Sequence, residues 1–126
     1  MKVQVTENKF NKYCVDCLKN RTAYVVINWG LFVCPECAYH HSKNFPMQNH
    51  YLKEIFAELY DPYQIQCLRY AGNKAFFELM KEYGLDKESF KVKYTSDAAK
   101  WYKKQFKAKV NNTSCFEKKP PLQPVK

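Results

Sequence analysis

Apolar residues along the chain follow two spacings. Residues 24–28 (YVVIN) and Leu31–Val33 are β-branched and aromatic runs without helical period, separated by Trp29-Gly30, and predict two short strands. Pro35 suits a first helical turn, so a short helix is expected through Glu36 to about Ser42, finished before Pro46. Residues 53–60 fit a helix and a strand equally well and stay open. Asp61-Pro62 is a cap and first-turn pair, and Tyr63, Ile65 and Leu68 supply the apolar positions of a helix that ends at Gly72. Asn73 opens a second helix, KAFFELMKEY, ending at Gly84, with Phe76, Phe77, Leu79 and Met80 as core. Ser96 caps the last helix, DAAKWYKKQFKAK, whose apolar side is Ala98, Ala99, Trp101, Tyr102 and Phe106 and whose wet side is Lys100, Lys103, Lys104 and Lys107. From Asn111 the period is lost and Pro120, Pro121 and Pro124 appear. That composition predicts an extended tail that orders only against a partner, with Phe116, Leu122 and Val125 as apolar anchors.

Four cysteines punctuate the strand region. Cys14, Cys17, Cys34 and Cys37 form C-x2-C-x16-C-x2-C, two knuckles that each supply two thiolates to one tetrahedral Zn2+. Two disulfides would require an oxidising compartment, and residues 1–13 carry no apolar run of signal-peptide length. One structural zinc is therefore expected, and four thiolates leave it no open position for water. His40, His41 and His50 are surplus to that site. Cys67 reads as a small packed residue of its helix, and Cys115 as an exposed free thiol on the tail.

The order of elements gives an α/β (α+β) fold: a small four-cysteine zinc finger with a short sheet surrounded by helices. Its 126 residues divide into one zinc-binding domain, 5–109, and the Pro- and Lys-containing tail, 110–126. Ten Tyr, nine Phe and two Trp against three Gly suit a compact body with large core side chains. A net charge of +9 points to acidic partners, an acidic protein surface or anionic lipid heads among them. Only Arg21 and Arg69 carry guanidinium forks, which argues against nucleic-acid recognition. No apolar run approaches the roughly eighteen residues of a membrane span.

Three ordered stretches together resemble the zinc-finger domain of Arf GTPase-activating proteins, over about residues 5–109. They are the cysteine array enclosing Asn28, Gly30 and Phe32; Leu59-Tyr-Asp61-Pro-Tyr63 followed by Ala71-Gly72-Asn73; and the run from Lys93 through Tyr94, Thr95, Ser96, Asp97, Ala98, Ala99 and Lys100 to Trp101-Tyr102. After its fourth cysteine the family reads roughly C-x-G-I-H-R-x-L-G. Here His41 remains, but Tyr39 stands for the glycine, Ser42 for the arginine, and Asn44-Phe45 for the leucine-glycine pair. Thr22, Tyr24 and Tyr63 likewise replace the family's proline and tryptophans.

The resemblance implies a scaffold for contact with an Arf-type small GTPase, and the arginine it lacks is the group that stabilises charge in GTP hydrolysis, worth roughly 10³ to 10⁵ in rate. Lys43 is one residue on, turned by about 100° around the helix, and carries no planar fork; Arg21, in the loop after the first knuckle, has no evident reason to reach a nucleotide. The expectation is therefore a protein that is not an enzyme, with no catalytic residue and Cys14, Cys17, Cys34 and Cys37 as its only site. It would act as a protein-interaction or scaffold subunit, within a larger multisubunit complex, in the cytoplasm or in mitochondria. The alternative is a GTPase-activating protein with an atypical active site.

Overall fold

The computed structural model describes residues 9–57 and 59–121. Three strands, β1 (Tyr24–Val26), β2 (Leu31–Val33) and β3 (Leu52–Glu54), form an antiparallel sheet in the order β2-β1-β3. Among the described residues six helices surround it: α1 (Lys9–Lys12), α2 (Pro35–Asn44), α3 (Pro62–Tyr70), α4 (Lys74–Glu82), α5 (Phe90–Tyr94) and α6 (Asp97–Val110). Val25 pairs with Phe32 on one side and with Lys53 on the other, which settles the open segment: its start is the third strand. Neither periodicity nor propensity marks Leu-Lys-Glu as a strand; pairing with β1 does.

The apolar run of β1 has no alternation because both of its faces are buried. Val26, Leu31 and Val33 face a cluster with Trp29, Ala38, Phe76, Met80 and Tyr94, while Val25, Ile27 and Phe32 face Ile55, Cys67, Leu68, Phe106 and Val110. The hairpin between β1 and β2 closes through Gly30, whose N–H donates to the Val26 carbonyl at 2.8 Å and whose φ is 67°. A Cβ added there would lie 2.2 Å from the Phe106 ring, so conformation and space both require glycine.

Asp61 caps α3 as its sequence predicts, in a reciprocal capping box with Gln64. Asn73 precedes α4 but makes no side-chain cap. Instead its Oδ1 accepts from the Phe32 N–H at 2.8 Å, and its Nδ2 donates to the carbonyls of Phe10, Tyr13 and Phe32 at 3.1 to 3.2 Å. This buried amide fastens the edge of β2 to the N-terminal turn. The short helices α1 and α5 lie outside the sequence expectation, being four and five residues long and below the reach of periodicity.

Beyond α6 the chain turns back at Asn112 (φ 56°) and runs as an extended strap against α6 and α4. Gln105 donates to the Cys115 carbonyl at 3.4 Å, Trp101 Nε1 to the Glu117 carbonyl at 2.9 Å, and the Tyr83 hydroxyl to the Pro120 carbonyl. Lys104 pairs with Glu117 at 2.8 Å and Lys119 with Glu82 at 2.7 Å. The surface that orders this stretch is thus the chain's own, and Cys115 is half-buried where exposure was expected. Leu122 and Val125 lie outside the described residues.

Candidate metal centre and the exposed face of its helix

The two knuckles bring four thiols to one point. The first turns at Leu18, whose N–H donates to the Cys14 carbonyl at 2.9 Å with φ at 62°, and the second is the first turn of α2, with Cys34 as its cap. The Sγ atoms of Cys14, Cys17, Cys34 and Cys37 all lie within 4.8 Å of one another, and Cys17 and Cys34 are 3.9 Å apart. A tetrahedron with Zn–S bonds near 2.3 Å has edges of about 3.8 Å, so this donor set fits Zn2+. Backbone N–H groups of Asp16 and Cys37 point at sulfur, at 3.4 Å each, and that of Asn20 at 3.5 Å, which favours thiolates. Hydrogen bonding from the Cys37 thiol holds Cys14 down to about 6, against burial and the Asp16 charge, while the same bond pushes Cys37 up. Zn2+ held by these four cysteines would join the first knuckle to the start of α2.

Under α2 lies a buried polar cluster centred on Asp16, whose side chain is 3% exposed. Its carboxylate accepts from His41 Nε2 at 2.8 Å, from Lys93 Nζ at 2.8 Å and from the Tyr94 hydroxyl at 2.7 Å. Burial pushes the Asp16 carboxyl up, but the His41 hydrogen bond and the charges of Lys93 and His41 outweigh it and hold the group at about 2. His41 Nδ1 meets His50 Nδ1 at 2.9 Å, so one hydrogen sits between the two rings. Burial, then the His41 and Lys103 charges, lowers His50 to about 3, against a smaller upward pull from Asp16. Phe45 stacks on His50 with ring centroids 4.1 Å apart, which gives a packing role to the residue standing for the second glycine of the family's segment. Of the three histidines that the cysteine count left over, two therefore hold α2 to the knuckle and to α5. No spacing in the sequence announces that pairing.

The other side of α2 is open. Tyr39, His40, Ser42 and Lys43 are exposed. The Ser42 hydroxyl donates to the Tyr39 carbonyl at 2.8 Å, and Lys43 Nζ leans back to 5.9 Å from the Tyr39 ring centroid. Lys43 thus lies over Tyr39, one turn back along the helix. A shallow depression lined by Tyr24, Pro35, Ala38, Tyr39, Ser42 and Leu52 lies beside it. A larger apolar one, about 560 Å³, is lined by Ile27, Met47, Tyr51 and Tyr63 among others. Arg21 is exposed with its guanidinium 5.9 Å from the Tyr13 ring centroid.

A family model described as "Putative GTPase activating protein for Arf" matches residues 1–117. ADP-ribosylation factor GTPase-activating protein 3 of Bos taurus is 25% identical over 99 residues, covering 78% of this chain and 19% of that protein. Stromal membrane-associated protein 1 of Mus musculus is 32% identical over 92 residues, covering 73% of this chain and 20% of its own length. The chain thus spans about a fifth of the curated relatives it matches. In structure it is similar to a crystal structure of a putative GTPase activating protein for ADP ribosylation factor from Cryptosporidium parvum, with TM-score 0.71 and 18% identity over 84% of this chain and 85% of that one. These matches overturn the expectation of a protein that is not an enzyme, since the matching family is one of GTPase-activating proteins. The physical reason lies on α2. Ser42 is one position on an exposed face that also carries the cation of Lys43, so the side chain at 42 alone does not exclude an activity.

Proposed function

The chain belongs to the Arf GTPase-activating protein family, and from that premise we propose that it accelerates GTP hydrolysis by an Arf-type small GTPase through the exposed face of α2. The observation that carries this reading is the family match across residues 1–117, nearly the whole chain.

Hydrolysis spreads negative charge over the oxygens of the transferring phosphoryl group, and a cation placed beside them lowers the barrier. Ser42 supplies no charge, and its hydroxyl is turned back onto the Tyr39 carbonyl. We assign the cation to Lys43, which is exposed, carries no carboxylate partner among the described residues, and follows Ser42 on the open side of α2. An ammonium is a point charge on a flexible stem, so the acceleration falls below the arginine range of about 10³ to 10⁵. The depressions with Tyr39 and with Met47, Tyr51 and Tyr63 give the GTPase apolar footholds on either side.

Single-turnover hydrolysis by several purified, GTP-loaded Arf-type GTPases tests this. The chain should raise the rate, and Lys43→Ala should remove most of the gain without changing thermal unfolding. No acceleration with any GTPase would sink the proposed function; acceleration that survives Lys43→Ala would move the cation elsewhere while keeping the function.

A further inference from the structure

The outer surface of α6 and the strap combine two properties. Lys100, Lys104 and Lys107 recur at helical spacings of four and three, which places them on one stripe, and all three are exposed. Lys103, by contrast, turns inward over the Trp29 ring at 5.3 Å. Beside the stripe, on the Trp101 and Gln105 edge of α6, the strap carries Phe116 and the exposed Lys118.

Phe116 is 90% exposed, the most exposed large apolar side chain among the described residues. Its position is held from both sides, because the carbonyls of Cys115 and Glu117 each accept from α6. The backbone is tethered while the ring is left with nothing beneath it. A tethered aromatic ring in water amid lysines gains nothing from packing, yet it matches an interface where rings sit at headgroup depth and ammonium groups meet phosphates. Two carboxylates of this region are engaged, Glu117 with Lys104 and Glu82 with Lys119. Asp97 stands at the far N-terminal end of α6, where it complements the helix dipole.

We propose that this surface docks on an anionic phospholipid bilayer, with Phe116 entering the interface and Lys100, Lys107 and Lys118 facing the headgroups. The docking is at the surface; among the described residues no helix is long and apolar enough to span a membrane. The site shares no residue with the outer face of α2, and neither proposal depends on the other.

The test is co-sedimentation of the zinc-loaded full chain with vesicles of phosphatidylcholine alone, or of phosphatidylcholine with about a third phosphatidylserine as the anionic lipid. Binding is expected on the anionic vesicles only, and it should weaken as salt shortens the screening length. Lys100→Gln with Lys107→Gln should weaken it about 25-fold, roughly fivefold for each charge removed near such a surface. Phe116→Ser should weaken it severalfold with unchanged thermal unfolding, and Phe116→Trp should be quenched by lipids brominated in their acyl chains. All these variants should retain the GTPase effect measured in solution, which keeps the two proposals distinguishable. The inference is overturned if neutral and anionic vesicles bind alike or not at all, if neither set of variants changes binding, or if duplex DNA or polyglutamate binds as tightly as the anionic vesicles.

Discussion

The two faces of α2 contrast sharply. On the inner face Cys37 joins the thiolate cage, Ala38 packs in the core, and His41 has both ring nitrogens engaged, by Asp16 and by His50. On the outer face Tyr39, Ser42 and Lys43 touch mainly their own helix and solvent, and His40 is exposed with its ring beside Phe90. Inner residues are fixed by partners that would be left buried and unsatisfied, at about 1 to 3 kcal/mol for a lost neutral partner and more for a charge. Outer residues carry no such penalty. One helix can therefore keep a family's scaffold on one side and change its chemistry on the other.

Removing the metal from the inner face should have the largest effect. Chelation, or Cys37→Ser, is expected to abolish cooperative unfolding, because binding energies of about 10 kcal/mol and more for such sites are folding energy. Circular dichroism melts with and without added Zn2+ decide it, and a chelated protein that melts unchanged would show that the thiols suffice.

Asp16→Asn comes next. It leaves Lys93, itself 5% exposed, without its counter-charge and should cost about 3 to 5 kcal/mol in urea unfolding. A loss under about 1 kcal/mol would mean that the cluster does not hold α2.

A third measurement uses acid. His50 is lowered from its usual 6.5 to about 3, first by burial, so the folded state favours the neutral ring. Its contribution is complete above pH 6.5 and is lost progressively as pH falls from there toward 3. Stability of the parent should therefore drop between about pH 6.5 and 5 more steeply than that of His50→Gln; parallel profiles would contradict the assignment.

On the outer face, Lys43→Ala and Ser42→Ala should shift unfolding by no more than about 0.5 kcal/mol. A large loss in either would erase the contrast between the two sides.

The cysteine spacing, the Asp61 cap, the Gly30 turn and the amphipathic α6 were legible because each is a local rule, set by a few neighbouring residues. The third strand was not, since Leu52–Glu54 becomes a strand only by pairing with β1. Nor was the Asp16 cluster, whose members come from positions 16, 41, 50, 93 and 94 and meet only after folding. Ser42 was legible as an absence and misled for that reason. The exposed face around it also carries Lys43, and one missing side chain did not outweigh a family match across residues 1–117.

The Asn73 amide has a consequence for the order of events in folding. Two of its hydrogen bonds reach carbonyls 60 and 63 residues back along the chain, and its acceptor bonds β2, 41 residues away. Such bonds close only after long loops have been brought together, and contacts of that separation slow folding because the loop entropy is spent before they are gained. Loosening them would shorten the lifetime of the whole body, because the N-terminal turn that carries the first zinc knuckle and the edge of the sheet would be released together.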